Sequence, residues 1–407
     1  MSSSGDVYVD ASAGEWQDET NPTKKRIVVL GADSLLARHV VLACLDQFGG
    51  LAAEGGELLL WTYWDSADDL SARFHQEESS LALCQSAGLS SLPSLLSTAN
   101  LVFNCHDFFD ATLLPDTQEL RRHNVDLCTL LVSVLPPSTP LIHISSVFVQ
   151  TTSRWPNVYE MEVDASKYQS QWPFQAYCSS KSEGEQVVLS RPLSVVLRVP
   201  PLYGEGDISS PVTDLLRLSS SRILASGAIP VLGDRGGVLQ MSYAGNVAAG
   251  VLRAAASLQR EAAAETEPTS ALSSIRKIFL LTDASPKKDI YSLALPLIQD
   301  GKRHLVSLSL LPFISLLYLY ALFALILRSL STGRGVPRTI RQLPDPNVPY
   351  FWFHSWMFFN PIKARLHLNH IDEFSHDVCV SRSAPFYRRL SPDQIGRYSW
   401  QPPSPPV

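Results

Sequence analysis

Charge is scarce in this 407-residue chain. Asp, Glu, Lys and Arg make up 18% of it, against about 25% in an average soluble domain. Cations are not in excess either, with 33 Lys and Arg facing 39 Asp and Glu for a net charge of −6. A protein built to grip nucleic acid needs cations to neutralise phosphates, so nucleic acid is not expected as a partner. The six cysteines (Cys44, Cys84, Cys105, Cys128, Cys178 and Cys379) include no CxxC pair and no Cys/His cluster at metal-ligand spacing. That argues against a disulfide scaffold and a metal site, and predicts reduced thiols in the core. Met1 to Thr23 carries Asp6, Asp10, Glu15, Asp18 and Glu19 without a single base. It lacks the basic start and apolar stretch of a signal peptide, and is expected to be a solvated acidic tail.

Apolar residues are plentiful at 45%, and their arrangement is informative. Lys25 to Gly31 is a short β-branched run ending in glycine, so a buried parallel strand, followed by a helical pattern from Ala32 to Leu45. Further strand-like runs are Glu57 to Trp64, Ala99 to His106, Pro140 to Ser146 and Leu193 to Val199. Helical patterns around His123 to Val134 and Tyr177 to Leu189 fall between them. Strands alternating with helices predict an α/β fold with a doubly wound parallel sheet. Such sheets bind ligands beyond the C-terminal ends of their strands. Gly31, Asp65, Asn104 to His106 and Ser146 occupy those ends.

Three features of these ends carry chemistry. A dinucleotide fold needs glycine after its first strand, so that the backbone can approach a pyrophosphate resting on a helix N-terminus. The GxxGxxG positions here hold Gly31, Ser34 and Ala37, so one glycine of three remains. Asp65 is placed to accept hydrogen bonds from an adenosine ribose, which favours NAD, or else to cap a helix. Tyr177 and Lys181, spaced by four, share one helical face. An ammonium beside a tyrosine lowers its pKa and can hold a ribose, while the phenol exchanges a proton with a substrate alcohol or carbonyl. With 13 tyrosines in the chain, chance supplies about 0.3 such pairs. The one pair present opens the helix after the fourth strand. Ser146, at the end of that strand, can polarise the same substrate oxygen.

These residues resemble the extended short-chain dehydrogenase/reductases, and more narrowly the 3β-hydroxysteroid dehydrogenase/Δ5-Δ4 isomerase family, over about residues 25–380. The matching segments are Gly31 to Val41, Asn124-Val125, Ile144-Ser145-Ser146, Tyr177-x-x-x-Lys181 and Leu197 to Gly206. Tyr243 to Ala248, Leu281 to Pro286 and Lys363-Ala364 follow. The resemblance implies a Rossmann-type domain with a smaller C-terminal substrate-binding part. It implies Ser146, Tyr177 and Lys181 as the catalytic triad with Asn124 as helper. Gly31, Ser34, Leu35 and Leu36, with Asp65, Tyr177 and Lys181, would hold NAD, NADP staying open. Pro200, Tyr203 and Asn246 would shape the substrate pocket. The implied reaction is oxidation of a 3β-hydroxysteroid or related sterol alcohol, and no residue can be assigned to the isomerase half. Ser34 and Ala37 stand where the family has glycines and Val199 where it has proline. The alternative is therefore a catalytically weak binding or scaffold protein.

Leu305 to Leu327 is a run of 23 residues without a charge, longer than the roughly 20 needed to cross a bilayer core. It predicts one long hydrophobic helix, spanning or lying in a membrane, with a catalytic domain facing the cytosol on the endoplasmic reticulum, or at a mitochondrial membrane. Phe351 to Phe359 reads equally as an interfacial belt or a core element. The expected organisation is an acidic tail (1–23), an NAD(P)-binding domain (24–300) with substrate elements mainly in 200–300, and a membrane helix (301–330). A membrane-proximal segment (331–390) and a disordered proline-rich tail (391–407) complete it. Membrane lipid and a steroid or sterol are the expected partners, with a homodimer left open.

Overall fold

The computed structural model describes residues 25–47, 57–63, 92–154, 156–220, 227–233, 235–263, 277–299, 303–330, 342–391, 394–395 and 397–403. The acidic tail, Asp65 and Cys84 lie outside these residues. The strands, in chain order, are β1 (Arg26–Leu30), β2 (Glu57–Trp61), β3 (Leu101–Asn104), β4 (Leu141–Ser146), β5 (Asn157–Glu160), β6 (Ser194–Val199) and β7 (Leu202–Tyr203). Then come β8 (Ala228–Leu232), β9 (Val238–Leu239), β10 (Ser242–Tyr243), β11 (Ile278–Leu280), β12 (His304–Leu308) and β13 (Trp356–Phe359). The helices are α1 (Leu35–Gln47), α2 (Leu92–Ser97), α3 (Thr117–Arg121), α4 (Leu127–Val134), α5 (Gln175–Leu189) and α6 (Pro211–Ser219). They continue as α7 (Ala244–Ala263), α8 (Ile290–Ile298), α9 (Leu310–Leu330), α10 (Asn347–Phe353), α11 (Ile362–Leu368) and α12 (His376–Arg389).

Six strands form one parallel sheet in the order β11-β6-β4-β3-β1-β2. The chain runs outward from β1 to β2, then returns to β3 on the other side, which opens a crevice at the point where the order reverses. Burial on both faces explains why these strands read as unbroken apolar runs. On one face Val29, Phe103 and Leu197 pack against Val40 of α1 and Val251 of α7. On the other, Val28, Val102 and Val196 pack against Leu96, Leu131 and Val188 of α2, α4 and α5. The predicted doubly wound α/β sheet is thus present. Cys44, Cys105, Cys128, Cys178 and Cys379 are free and buried, as the sequence predicts.

A third apolar cluster joins the end of this domain to the C-terminal part, through Phe148, Phe174, Val212, Tyr291, Phe351 and Met357. It settles the aromatic stretch as core: Phe351, Trp352 and Phe353 of α10 and Phe359 of β13 are buried, though Trp356 is exposed.

Two expectations need correction here. Leu305 to Leu327 does not fold as one helix. Leu305 to Leu308 belong to β12, which pairs in parallel with Ile229 to Leu232 of β8. The apolar start of the run is consumed by an edge that needed a hydrogen-bonding partner. The remainder forms α9, with Pro312 near its start, where proline is tolerated. Among the described residues no helix is long and apolar enough to cross a membrane. The proline-rich tail is not disordered through its described part. Trp400 accepts from Ala111 N through its carbonyl at 2.9 Å and donates from its indole to the carbonyl of Gln342 at 3.3 Å. Buried partners for Ile395 and Ser399 outweigh what its prolines suggested.

Candidate active site

Four strand ends and the C-terminal strap border a cavity of about 460 Å³. It is bordered by the turn after β1 (Gly31, Asp33, Ser34, Leu35), the end of β3 (His106, Asp107, Phe109) and the end of β4 (Ile144 to Ser146, then Phe148). Tyr177 and Lys181 of α5, Val199 to Leu202, Gly206 to Pro211, Trp352 and the strap residues Arg397, Ser399, Gln401 and Pro403 complete it.

The four-residue spacing on α5 puts Tyr177 and Lys181 side by side, both buried and both opening on the cavity. Ser146 Oγ caps the short helix that follows β4 by accepting from Phe148 N at 3.2 Å, and it borders the cavity beside Tyr177, whose pKa it lowers. Lys181 Nζ donates to the carbonyl of Ile144 at 3.1 Å and pairs with Asp107 Oδ1 at 3.2 Å. Tyr177 donates to the same carboxylate, 3.2 Å from each oxygen. Asp107 therefore changes the electrostatics expected from the Tyr–Lys pair. Burial and the Asp107 charge push the Tyr177 phenol well above its ordinary range. The Lys181 ammonium, neutralised at close range, does not pull it down. Tyr177 stands as a protonated donor with an acceptor already at hand.

The first turn fits a dinucleotide better than its motif suggests. Gly31 has φ +71°, and a Cβ there would lie 2.6 Å from His106 Cα, so glycine is required. Ser34 turns its hydroxyl into the helix, accepting from Ala37 N at 3.2 Å and donating to the carbonyl of Cys105 at 3.4 Å. It caps α1 while bordering the groove. Ala37 is fully buried in the contact between α1 and the sheet, where a small residue is needed. The cradle is therefore intact, with a helix N-terminus facing the cavity. What a dinucleotide meets in addition is the pair of carboxylates, Asp33 and Asp107.

The strap is fastened by a buried carboxylate. Asp214 of α6 accepts from Ser399 N at 2.8 Å and from Ser399 Oγ, and Trp352 donates its indole N–H to the same hydroxyl at 3.2 Å. Burial pushes Asp214 up to about 7, with the nearby Asp207 raising it further and Arg217 and Ser399 opposing. Asp207, bound by Ser210 and by Tyr387 at 2.6 Å, is pushed up to about 6 by the same cause. Both folded-state values lie above the unfolded value, so the folded chain holds protons that the unfolded chain has released. Their contribution to stability is full below pH about 4 and is lost as pH rises through 6 to 7. The melting temperature is expected to fall between pH about 4 and 7 and to level off above, and Asp214→Asn to flatten that fall. Parallel pH slopes for both proteins in thermal unfolding would contradict the assignment.

The structure sorts the remaining predicted residues. Leu35 borders the cavity, whereas Leu36 is buried in the core behind it. Pro200 borders it. Asn124, in the π-helical turn Arg122–Asp126, bonds Phe108 N, the carbonyl of Phe108 and Ser180 Oγ at 3.0–3.1 Å. It does not border the cavity and is a positioning residue, clamping the loop that carries Asp107 onto α5. Tyr203 and Asn246 are corrected. Tyr203 is buried with its hydroxyl 2.9 Å from Ser285, and Asn246 bonds Asp283 and the backbone of Phe374, holding the approach to α12. The family-like segments around them are fastenings between chain segments, not pocket walls. Asp107 and Arg397 are the residues that sequence reasoning missed. Asp107 was within reach, one step beyond the Asn104 to His106 strand end; nothing local marks Arg397.

No family model matches the chain, and no curated protein matches it. Solved structures do. An NAD complex of dTDP-glucose 4,6-dehydratase from Bacillus anthracis aligns over 89% of this chain and 96% of that one, with TM-score 0.56 and 11% identity. An NAD complex of UDP-glucuronic acid 4-epimerase from Bacillus cereus aligns over 92% and 99%, at 0.56 and 13%. ADP-L-glycero-D-manno-heptose-6-epimerase from Helicobacter pylori aligns over 91% and 99%, at 0.55 and 13%. At such identities the likeness is one of fold: this chain shares the Rossmann-type α/β architecture of these structures.

Proposed function

We propose that this protein is an NAD-dependent oxidoreductase that interconverts a secondary alcohol and its ketone on an apolar substrate of hydroxysteroid or sterol class. The observation that carries the reading is the convergence of Ser146, Tyr177 and Lys181 beside a required-glycine turn, in one cavity walled by Phe109, Phe148 and Trp352. Gly31, Ser34 and Leu35 would hold the dinucleotide, whose nicotinamide supplies or accepts the hydride. NAD complexes of structures sharing the fold support that cofactor.

The chain's own groups handle the proton. In oxidation the alcohol O–H proton passes to the Tyr177 oxygen while the Tyr177 proton passes to Asp107, so the carboxylate ends protonated. In reduction the same transfers run backward, starting from a protonated Asp107. Ser146 holds the substrate oxygen, and Lys181 keeps Asp107 and Tyr177 in register. Asp107→Asn is expected to slow oxidation at neutral pH by about 10²-fold, with partial recovery at alkaline pH. Initial rates against pH, in both directions, check this. An unchanged profile would remove Asp107 from the relay.

The test is NADH formation from NAD and a 3β-hydroxy-5-ene steroid, with UDP-glucose in a parallel arm. Steroid turnover abolished by Tyr177→Phe supports the reading; turnover of the nucleotide sugar alone overturns the apolar substrate. A second reading, a cofactor-poor binding protein, is favoured by the two carboxylates in the groove. Failure to bind any dinucleotide would select it.

The outer face of α9 supports membrane association within this reading. Leu311, Leu316, Tyr318, Leu319, Leu322 and Phe323 are all more than half exposed, a patch that suits a helix lying in a lipid interface. Leu319→Glu with Phe323→Glu is expected to cut co-sedimentation with phosphatidylcholine/phosphatidylethanolamine vesicles about tenfold or more, leaving turnover of a water-soluble substrate analogue unchanged. Equal sedimentation of variant and wild type would sink the interfacial role.

A further inference from the structure

The groove beside the Gly31 turn has a charge problem. Asp33 and Asp107 both border it, and a dinucleotide would bring two more negative charges. Among the described residues bordering the cavity, the cations are Lys181 and Arg397. Lys181 is committed to Asp107 and to the carbonyl of Ile144. Arg397 is differently placed. It borders the same cavity as the Gly31 turn and as Tyr177 and Lys181, and the Asp33 and Asp107 charges oppose the burial that lowers its pKa to about 10. One of its five N–H donors goes to the carbonyl of Gln401, at 3.2 Å.

Its position is built. Two residues on, Ser399 is tied to Asp214 and Trp352. Next to it, the Tyr398 ring lies 4.3 Å from the Arg217 guanidinium and stacks on Trp400, with centroids 4.3 Å apart. Arg217 also donates to the carbonyl of Ile395 at 3.1 Å. A backbone fastened this way on both sides of Arg397 keeps its side chain at the groove, so less freedom is lost when it binds. Its planar fork suits the paired oxygens of a diphosphate.

We propose that Arg397 is the diphosphate-binding cation of this site, so that the dinucleotide is clamped between the Gly31 turn at one end of the chain and the C-terminal strap at the other. The inference rests on the dinucleotide reading above and deepens it, assigning to the strap the charge that the turn lacks.

The experiment is calorimetric titration of the full chain with ADP-ribose, using adenosine as the probe without a diphosphate. Wild type, Arg397→Gln and Arg397→Lys are compared. Arg397→Gln is expected to weaken ADP-ribose by about 10- to 100-fold and to leave adenosine within about twofold. Arg397→Lys should fall between, and the salt dependence of ADP-ribose affinity should shrink in Arg397→Gln. Equal ADP-ribose affinity in Arg397→Gln and wild type overturns the proposal while leaving the oxidoreductase reading intact. Tighter binding in Arg397→Gln also overturns it, making the strap an occluding element. Adenosine weakened in parallel would mean lost structure instead of a lost cation, again contradicting the assignment. If UDP-glucose is the ligand that depends on Arg397, the cation belongs to a substrate diphosphate and the cofactor assignment fails. Loss of ADP-ribose binding in Arg397→Gln with no turnover in wild type would uphold the clamp and reject the catalytic reading.

Discussion

Tyr177→Phe is expected to lower alcohol oxidation by about 10²–10⁴-fold, the range that a positioned acid–base group supplies, while leaving the fold and dinucleotide binding in place. The phenol ring packs edge-on against Phe109, with centroids 4.6 Å apart, and phenylalanine keeps that contact. What is lost is the hydroxyl that donates to Asp107. The effect should fall on kcat more than on KM, because the proton moves in the transition state. Steady-state rates with matched NADH-binding titrations make the comparison. Equal rates in the two proteins would mean that another group carries the proton.

The largest expected stability effect lies one strand away. Arg198 of β6 is fully buried and pairs with the equally buried Glu185 of α5 through two bonds, at 2.9 and 2.6 Å. Its other amino group donates to Gln150 Oε1 at 2.8 Å and to the carbonyl of Val163 at 2.6 Å. Arg198→Met leaves Glu185 buried without its counter-charge, which costs about 3–5 kcal/mol. Arg198→Met combined with Glu185→Gln should recover part of that loss, because the orphaned charge is gone. Chemical denaturation of the single and double variants measures it. A single variant within about 1 kcal/mol of wild type would show that the pair is solvated or dispensable.

Arg198 also shows what the sequence could and could not disclose. It lies in the Leu197 to Gly206 segment, one of those on which the sequence resemblance rests. Its role there is to lock α5, the helix of Tyr177 and Lys181, against the sheet. The central sheet was legible because β1, β2, β3, β4 and β6 are buried on both faces and appear as short unbroken apolar runs. The Tyr177–Lys181 pair was legible because helical spacing is local. The hydrogen bond from Tyr177 to Asp107 was not, since it joins residues 70 apart in the chain. Tyr203 and Asn246 misled for a related reason: a family-like motif marks a position that matters, but not whether it faces a ligand or fastens a neighbour. Leu305 to Leu327 misled because hydropathy does not register that an exposed edge at β8 would recruit its first residues. The strap misled because Pro402 and Pro403 resemble a free tail, while the groups that bind Ser399 and Trp400 come from Asp214, Trp352, Ala111 and Gln342.

The central claim is that this cavity is a working dinucleotide site despite its single turn glycine and its two carboxylates. Titration of the full chain with NADH, followed by the quenching of protein fluorescence, tests it most directly. The account predicts saturable one-to-one binding, retained in Tyr177→Phe and abolished in Gly31→Val, where a side chain would collide with the His106 backbone. No saturable binding by the wild-type chain at millimolar NADH would contradict it.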